Sequence, residues 1–322
     1  MRNINPKNAV GKFVHTPGHP LPITQASLSL FSRRQVLKMH FLVNPEMKKM
    51  VDLSIFNKIK SFIKKGREKT IGIALGGGVV WGSAHIGVLE GIEESGIKVD
   101  AIAGTSAGSI IAALYAFGVS LKDIKSAAER LRLSDIFKLK LPRMGLASTD
   151  GIGRLVRGFI GDARIEDAKI PLVIPAVNLI TGKPHPFTKG SVAEAVMASS
   201  AIPGIFVPVR IEDQLYVDGS LLADVPCQIL KMNNIDFVIG VELVDAEEFS
   251  KEPTNIFDVI LKSIHIMVNE TRQERLKFAD AIISPVVYDI GQFDFDKIPL
   301  LIKRGKEAVY KHIEFIKKSV TI

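Results

Sequence analysis

Val99-Asp-Ala-Ile-Ala-Gly-Thr-Ser-Ala-Gly-Ser109 is the stretch on which the fold turns. Its apolar run stops at Gly104 and restarts after Ser106 among the small residues Ala107, Gly108, Ala112 and Ala113. The pattern reads as strand, sharp turn and helix, the helix running to about Phe117. Such a turn lifts one hydroxyl to the top of a sheet, where a serine nucleophile has to stand. Ser106 is that hydroxyl.

Immediately upstream, Thr70 to Leu75 is a second apolar strand, ending in Gly76-Gly77-Gly78 and followed by a helical stretch from Ser83 to Ser95. Together the two strands and two helices make a βαβα unit, so the strands are expected to be parallel. Downstream, Leu121 to Leu131 reads as a helix and residues 132–149, with Pro142 and Gly145, as a loop or flap over the site. Asp150 caps a helix to about Ile160. Leu172 to Asn178 is a strand. Ser191 to Ser199 is an Ala-rich helix ended by Ala201-Ile-Pro-Gly204, and Gln214 to Val217 leads into the turn Asp218-Gly219. Asp236 to Leu243 is a buried strand, Asn255 to Lys277 a long helix, Ala281 to Ser284 a last strand and Pro299 to Lys318 a terminal amphipathic helix. The alternation is that of an α/β protein.

Composition agrees. A chain of 322 residues with 47% hydrophobic content suits one large α/β domain with an appendage. The formal charge of +8 is unevenly spread. Residues 1–69 hold fourteen Lys or Arg against three Asp or Glu, a net of +11, while the rest holds 28 against 31, a net of −3. That asymmetry points to a basic arm meeting an anionic surface and away from a nucleic-acid-binding core. Cys227 is the only cysteine, so no internal disulfide forms, and no metal-spaced Cys and His cluster is present. A reducing, cytoplasmic compartment is therefore expected. No apolar run reaches the roughly 18 residues of a transmembrane helix. Pro6, Pro17, Pro20 and Pro22 cut the first thirty residues, which therefore lack a signal-peptide core.

Residues 1–45 show no sustained periodicity and are expected to be poorly ordered. No acid precedes Glu46. A transit peptide explains that bias, and so does a start at Met39, Met47 or Met50. Residues 46–66 then turn helical, with Val51, Ile55, Ile59, Phe62 and Ile63 on one stripe and Lys48, Lys49, Lys58, Lys60, Lys64 and Lys65 elsewhere. This stripe either packs on the body or lies on an anionic membrane surface, making the protein peripheral there. The remaining divisions are a catalytic body at 67–290 and a C-terminal amphipathic helix at 291–322.

Gly104-Thr-Ser-Ala-Gly108 fits the G-x-S-x-G pattern, and the helix after it would aim its N-terminal amides at a developing oxyanion. Gly76-Gly-Gly-Val-Val-Trp-Gly82 is a second glycine-rich turn between strand and helix. A dinucleotide fingerprint fails at Trp81, and a P-loop fails at Ser83, where lysine is required. What remains is a loop whose free amides would serve as an oxyanion hole. The base is less obvious. A triad in the order Ser, Asp, His leaves only His265 and His312, both within expected helices, and His85 is expected to be packed. Asp218, at a strand end, reaches the same sheet edge as Ser106.

These pieces in order resemble the patatin-like phospholipases. The resemblance runs from about Ile71 to Ser284 through Ala74-Leu-Gly-Gly-Gly78, Ala84-His-Ile-Gly-Val-Leu89, Gly104-Thr-Ser-Ala-Gly108, Ala198-Ser-Ser-Ala-Ile-Pro-Gly204 and Val217-Asp-Gly219. It implies a three-layer α/β/α sandwich with a mainly parallel central sheet and a serine acyl hydrolase of phospholipase A or lysophospholipase type. The implied catalytic pair is Ser106 and Asp218, acting through an acyl-serine without metal or cofactor on a phospholipid or lysophospholipid. Gly77 and Gly78 match the oxyanion-hole glycines, with the Ala107 amide a further donor from turn geometry. Gly76, Gly82, Gly104, Gly108 and Gly219 support the motifs. Two positions depart from the family: Val79 and Trp81 stand where a glycine and a basic residue are usual. If that glycine has positive φ, Val79 strains the loop. Trp81 either faces lipid or packs in the core. An acyltransferase on the same site, or a weak or inactive lipid-binding protein, are the alternatives.

Overall fold

The computed structural model describes residues 69–136, 138–139, 144–243, 252–254 and 256–320. The expectations for 1–45 and for the basic stripe at 46–66 lie outside the described residues.

β1 (Ile71–Leu75) passes through a short 3-10 turn (Val79–Ser83) into α1 (Ala84–Glu94), and β2 (Ala101–Gly104) passes directly into α2 (Ala107–Ala116). α3 (Leu121–Arg130) and α4 (Asp150–Ile160) come next, then β3 (Leu172–Asn178), β4 (Lys183–Phe187), α5 (Val192–Ser199), β5 (Val209–Ile211) and β6 (Gln214–Val217). The chain continues with α6 (Cys227–Met232), β7 (Phe237–Val241), α7 (Ile256–Leu276), β8 (Ala281–Ile283), α8 (Ile298–Tyr310) and α9 (Ile313–Val320).

The strands form one sheet in the order β8-β7-β1-β2-β3-β6-β5, with β4 also paired to β3. From β8 to β3 every pair is parallel, while the β3–β4, β3–β6 and β6–β5 pairs are antiparallel. All residues of β1, β2, β3 and β7 are buried, as expected for strands covered on both faces. Alternation assigns the covers. Gly72 of β1 faces Leu230 on α6, and Gly240 of β7 faces Cys227 on the same helix. Gly104 of β2 turns the other way, against Gly108 and Ala112 of α2. Helix, sheet and helix therefore make three layers, and the sheet is mainly parallel.

Two features place the site. Leu75 is in register with Gly104 and with Val241, so the glycine loop after β1 and the turn after β2 leave the sheet at one edge. β3 then acts as a ruler: its Leu172 and Val173 pair with β2, and its Val177 and Asn178 pair with Val217 and Tyr216 of β6. β2 and β6 approach from opposite directions, so the turns beyond Gly104 and Val217 meet beside Pro175, where Gly219 abuts both the Pro175 carbonyl and the Thr105 side chain.

Several elements differ from the sequence reading. β4 and β5 were not expected. Pro184 and Pro186 argue against a strand because proline donates no amide, and β4 tolerates them by pairing with β3 alone. The expected loop at 132–149 holds a helical turn (Leu133–Ile136) and a two-residue pairing of Lys138–Leu139 with Ala147–Ser148. The terminal helix is broken at Lys311 and His312 into α8 and α9, so His312 sits in a turn. α8 lies tight on α1: a side-chain carbon on Gly87 would collide with the Ile302 carbonyl, and one on Gly305 with the Ala84 carbonyl.

Candidate active site

Ser106 caps the N-terminus of α2 with φ 51° and ψ −124°, a conformation that costs an L-residue about 1–3 kcal/mol. The surroundings enforce it. Gly104 and Gly108 pack backbone to backbone, and a carbon on Gly108 would lie 2.5 Å from the carbonyls of Leu75 and Gly76. The Ser106 amide donates to Ser199 Oγ at 3.0 Å, and the Ser106 carbonyl accepts from Ser109 Oγ at 2.6 Å. The residue is buried at 6% exposure. Its hydroxyl is left at the positive end of α2.

Asp218 comes directly after β6 and is also buried. Its amide donates to the Ala201 carbonyl at 3.0 Å, and the Gly219 amide to the Ser199 carbonyl at 3.2 Å. The end of α5 therefore grips both the serine turn and the aspartate turn. Asp218 Oδ1 accepts the Ser220 amide at 2.8 Å. Burial pushes its pKa up to about 6, against the Ser220 amide and the Ser106 hydroxyl, which favour the charged form; the Asp224 charge adds to the rise. Ser106 and Asp218 line the same pocket, no hydrogen bond joins the Ser106 hydroxyl to the carboxyl, and Asp218 Oδ2 is buried without a partner. Such bonds are commonly long before substrate binds.

The amides of Gly77, Gly78 and Ala107 donate to no acceptor among the described residues. A side-chain carbon on Gly77 would lie 2.5 Å from Ser220 Oγ and 3.5 Å from the Ser106 Cβ, so only a glycine fits beside the two serines. The other motif glycines have packing tasks: the Gly76 amide is spent on Val241, Gly82 abuts Ala107, and Gly219 abuts the Pro175 carbonyl. Val79 has φ 49°, so the strain its β-branch imposes is present. Trp81 is core: it is 3% exposed, and its indole donates to the Ile290 carbonyl at 2.8 Å.

His85 Nε2 donates to the Gly76 carbonyl at 2.8 Å, and burial pulls its pKa down to about 4, leaving it neutral. It holds the glycine loop and is no base. His265 lies on α7 and lines the pocket beside Asp218. Two cavities meet at Ser106. One, about 120 Å³, is apolar and runs between α2, α3 and α4 past Ile110, Leu114, Ile124, Leu155 and Phe159. The other, about 70 Å³, is mixed: Asp218, Asp224, His265 and Asn269 line it together with Leu221, Leu243 and other apolar residues. Ser199 and Asp224 were the residues sequence reasoning missed. The only signal for Ser199 is its place in Ala198-Ser-Ser-Ala-Ile-Pro-Gly204.

Residues 73–231 match the family model of the patatin-like phospholipases. The chain carries a patatin-like phospholipase domain. It is similar to the uncharacterized NTE family protein Rv2565 of Mycobacterium tuberculosis, 29% identical over 266 aligned positions covering 74% of this chain and 46% of that one. It is also similar to the lysophospholipase nte1 of Aspergillus fumigatus, 29% identical over 181 positions covering 54% of this chain and 12% of that one. The chain spans just under half the length of the first relative. Among solved structures it is similar to VipD from Legionella pneumophila, with a TM-score of 0.48 and 14% identity over 77% of this chain and 67% of that one. Within the patatin-like body, and among the described residues, no helix is long and apolar enough to cross a membrane.

Proposed function

We propose that this chain is a serine acyl hydrolase that cleaves fatty-acyl esters of lipids, of phospholipase A or lysophospholipase type. The observation that carries the reading is the meeting of a strained Ser106 and a buried Asp218 where an apolar cavity joins a smaller pocket that holds two carboxyls. The family match and the lysophospholipase among the relatives support the substrate class.

In the proposed reaction the acyl chain lies in the apolar cavity and the alcohol in the smaller pocket. Ser106 Oγ attacks the ester carbonyl carbon as Asp218 takes its proton. The amides of Gly77, Gly78 and Ala107 hold the oxyanion. The bond to the alcohol oxygen breaks, the alcohol leaves with the proton from Asp218, and an acyl-serine remains. Water attacks that ester, gives a proton to Asp218, and the fatty acid departs as Ser106 regains its proton. A carboxylate with a pKa near 4 would be a weak base, so the burial of Asp218 is part of the mechanism.

The test is hydrolysis of a short-chain nitrophenyl ester together with labelling by a fluorophosphonate. Ser106→Ala and Asp218→Asn should each abolish turnover, and the label should map to Ser106. Full activity in Ser106→Ala ends the reading. A folded protein that takes no label favours a lipid-binding role, and recovery of the acyl group on an acceptor alcohol favours an acyltransferase. His265 gives a second reading a foothold because it lines the same pocket; His265→Gln should retain turnover, and its loss would favour a histidine base.

A further inference from the structure

We propose that Val79 is a specificity-determining residue, the wedge that keeps the acyl cavity and the leaving-group pocket apart; this rests on the hydrolase reading above. Among the described residues, three border both cavities: Ser106, Ile202 and Val79. Ser106 is the reacting residue, so Val79 and Ile202 are the two walls of the passage around it. Val79 is the unusual wall. It holds a positive φ of 49° that a β-branched residue strongly disfavours, directly after Gly78, whose φ is 150°. A glycine would adopt this backbone without strain, yet a branched side chain occupies it.

The loop leaves Val79 little freedom to move away. On its amino side the Gly76 carbonyl is tied to His85, and on its carboxyl side the Val80 amide donates to the Gln292 carbonyl at 3.3 Å. Trp81 adds its amide to the Gly78 carbonyl at 2.9 Å and its indole to Ile290. The side chain is thus fixed beside the nucleophile.

The two compartments differ in size and in charge, which is what makes a partition selective. One is apolar and about 120 Å³, whereas the other, about 70 Å³, sets the carboxyls of Asp218 and Asp224 among apolar residues such as Leu221, Leu243 and Ile264. An ester whose alcohol is small and polar fits the division. An ester whose alcohol carries a second acyl chain would have to crowd that chain into the smaller pocket beside the two carboxyls, or pass it around Val79 into the larger apolar side. Removing the wedge opens the second route.

The experiment compares kcat/KM for lysophosphatidylcholine and for phosphatidylcholine of the same acyl chain in mixed micelles, in wild type, Val79→Ala and Val79→Gly. Alanine keeps a side chain at positive φ but removes the branch, whereas glycine removes both, so a shared effect belongs to the wedge and not to the strain. The ratio of one-chain to two-chain turnover should fall at least fivefold in both variants, with fluorophosphonate labelling of Ser106 retained. A ratio within twofold of wild type in both variants, with labelling intact, overturns the wedge and leaves the hydrolase reading standing. Undiminished hydrolysis of both lipids by Ser106→Ala overturns the hydrolase reading instead.

Discussion

The Ser199 hydroxyl accepts the Ser106 amide at 3.0 Å while donating to the Pro175 carbonyl at 2.6 Å. Its own carbonyl takes the Gly219 amide. One residue at the end of α5 thus ties the serine turn, strand β3 and the aspartate turn together. It also removes the Ser106 amide from the pool of donors available to an oxyanion. Ser199→Ala would leave a buried amide and a buried carbonyl short of a partner, which costs about 1–3 kcal/mol per group. Urea unfolding should show a loss of that order. kcat should fall more than KM, and the pH midpoint of the reaction should stay where it is, because the base is unchanged.

Asp218 predicts the pH profile. As the proposed base it has to be charged, and its pKa is pushed up to about 6, so kcat/KM should rise about tenfold per pH unit below 6 and level off above 7. Stability runs the other way. The folded value lies above the ordinary 3.8, so the folded state prefers the neutral carboxyl; the penalty for charging it grows as pH rises from about 4 to about 6 and is complete above that. Asp218→Asn should therefore match wild type near pH 4 and exceed it at pH 8, by an amount on the order of 3 kcal/mol. Urea titrations at the two pH values check this, and equal stability at pH 8 would contradict it.

His85 offers a contrast. It is neutral and its role is to hold the Gly76 carbonyl, so it contributes no titration between pH 5 and 9. His85→Gln keeps a donor and should retain most activity. His85→Ala frees the loop and should lower kcat by about tenfold, the order of one positioned oxyanion donor or less, with the pH profile unmoved. A shifted midpoint in either variant would mean that the histidine titrates in the reaction.

For the basic stripe at residues 46–66, the proposed partner is an anionic membrane surface. Sedimentation with vesicles containing phosphatidylserine should capture the full chain at low salt and release it at high salt, since exposed charge attraction is screened within about 10 Å at 0.1 M. Capture that ignores both lipid charge and salt argues for another role.

Much of the fold was legible in the sequence because its strands and turns are written in short local patterns. The strand, turn and helix around Ser106 follow one another between Ala101 and Ala116, and the positions of Gly104 and Gly108 are dictated by how closely two backbones approach. Asp218 could be read as a strand end, although what delivers it is an antiparallel strand measured off along β3. Other features were illegible for definite reasons. Ser199 is a serine at a helix end like many others, and its task exists only once Pro175 and Ser106 arrive from distant parts of the chain. β4 hides behind two prolines whose missing amides cost nothing at a strand with one partner. The apolar periodicity of the last segment continues across Lys311 and His312, so nothing in the pattern announces the break between α8 and α9. Trp81 is equally at home against lipid and in a core, and only its bond to Ile290 decides.

The seam where Gly87 and Gly305 let α1 and α8 touch has a consequence for how the protein is made. α1 carries His85 and so braces the glycine loop, but its outer face is completed by a helix encoded far downstream. On the ribosome, Ser106 and Asp218 emerge well before that brace. The proposed turnover should therefore be withheld from the nascent chain until the segment around Gly305 has docked on α1.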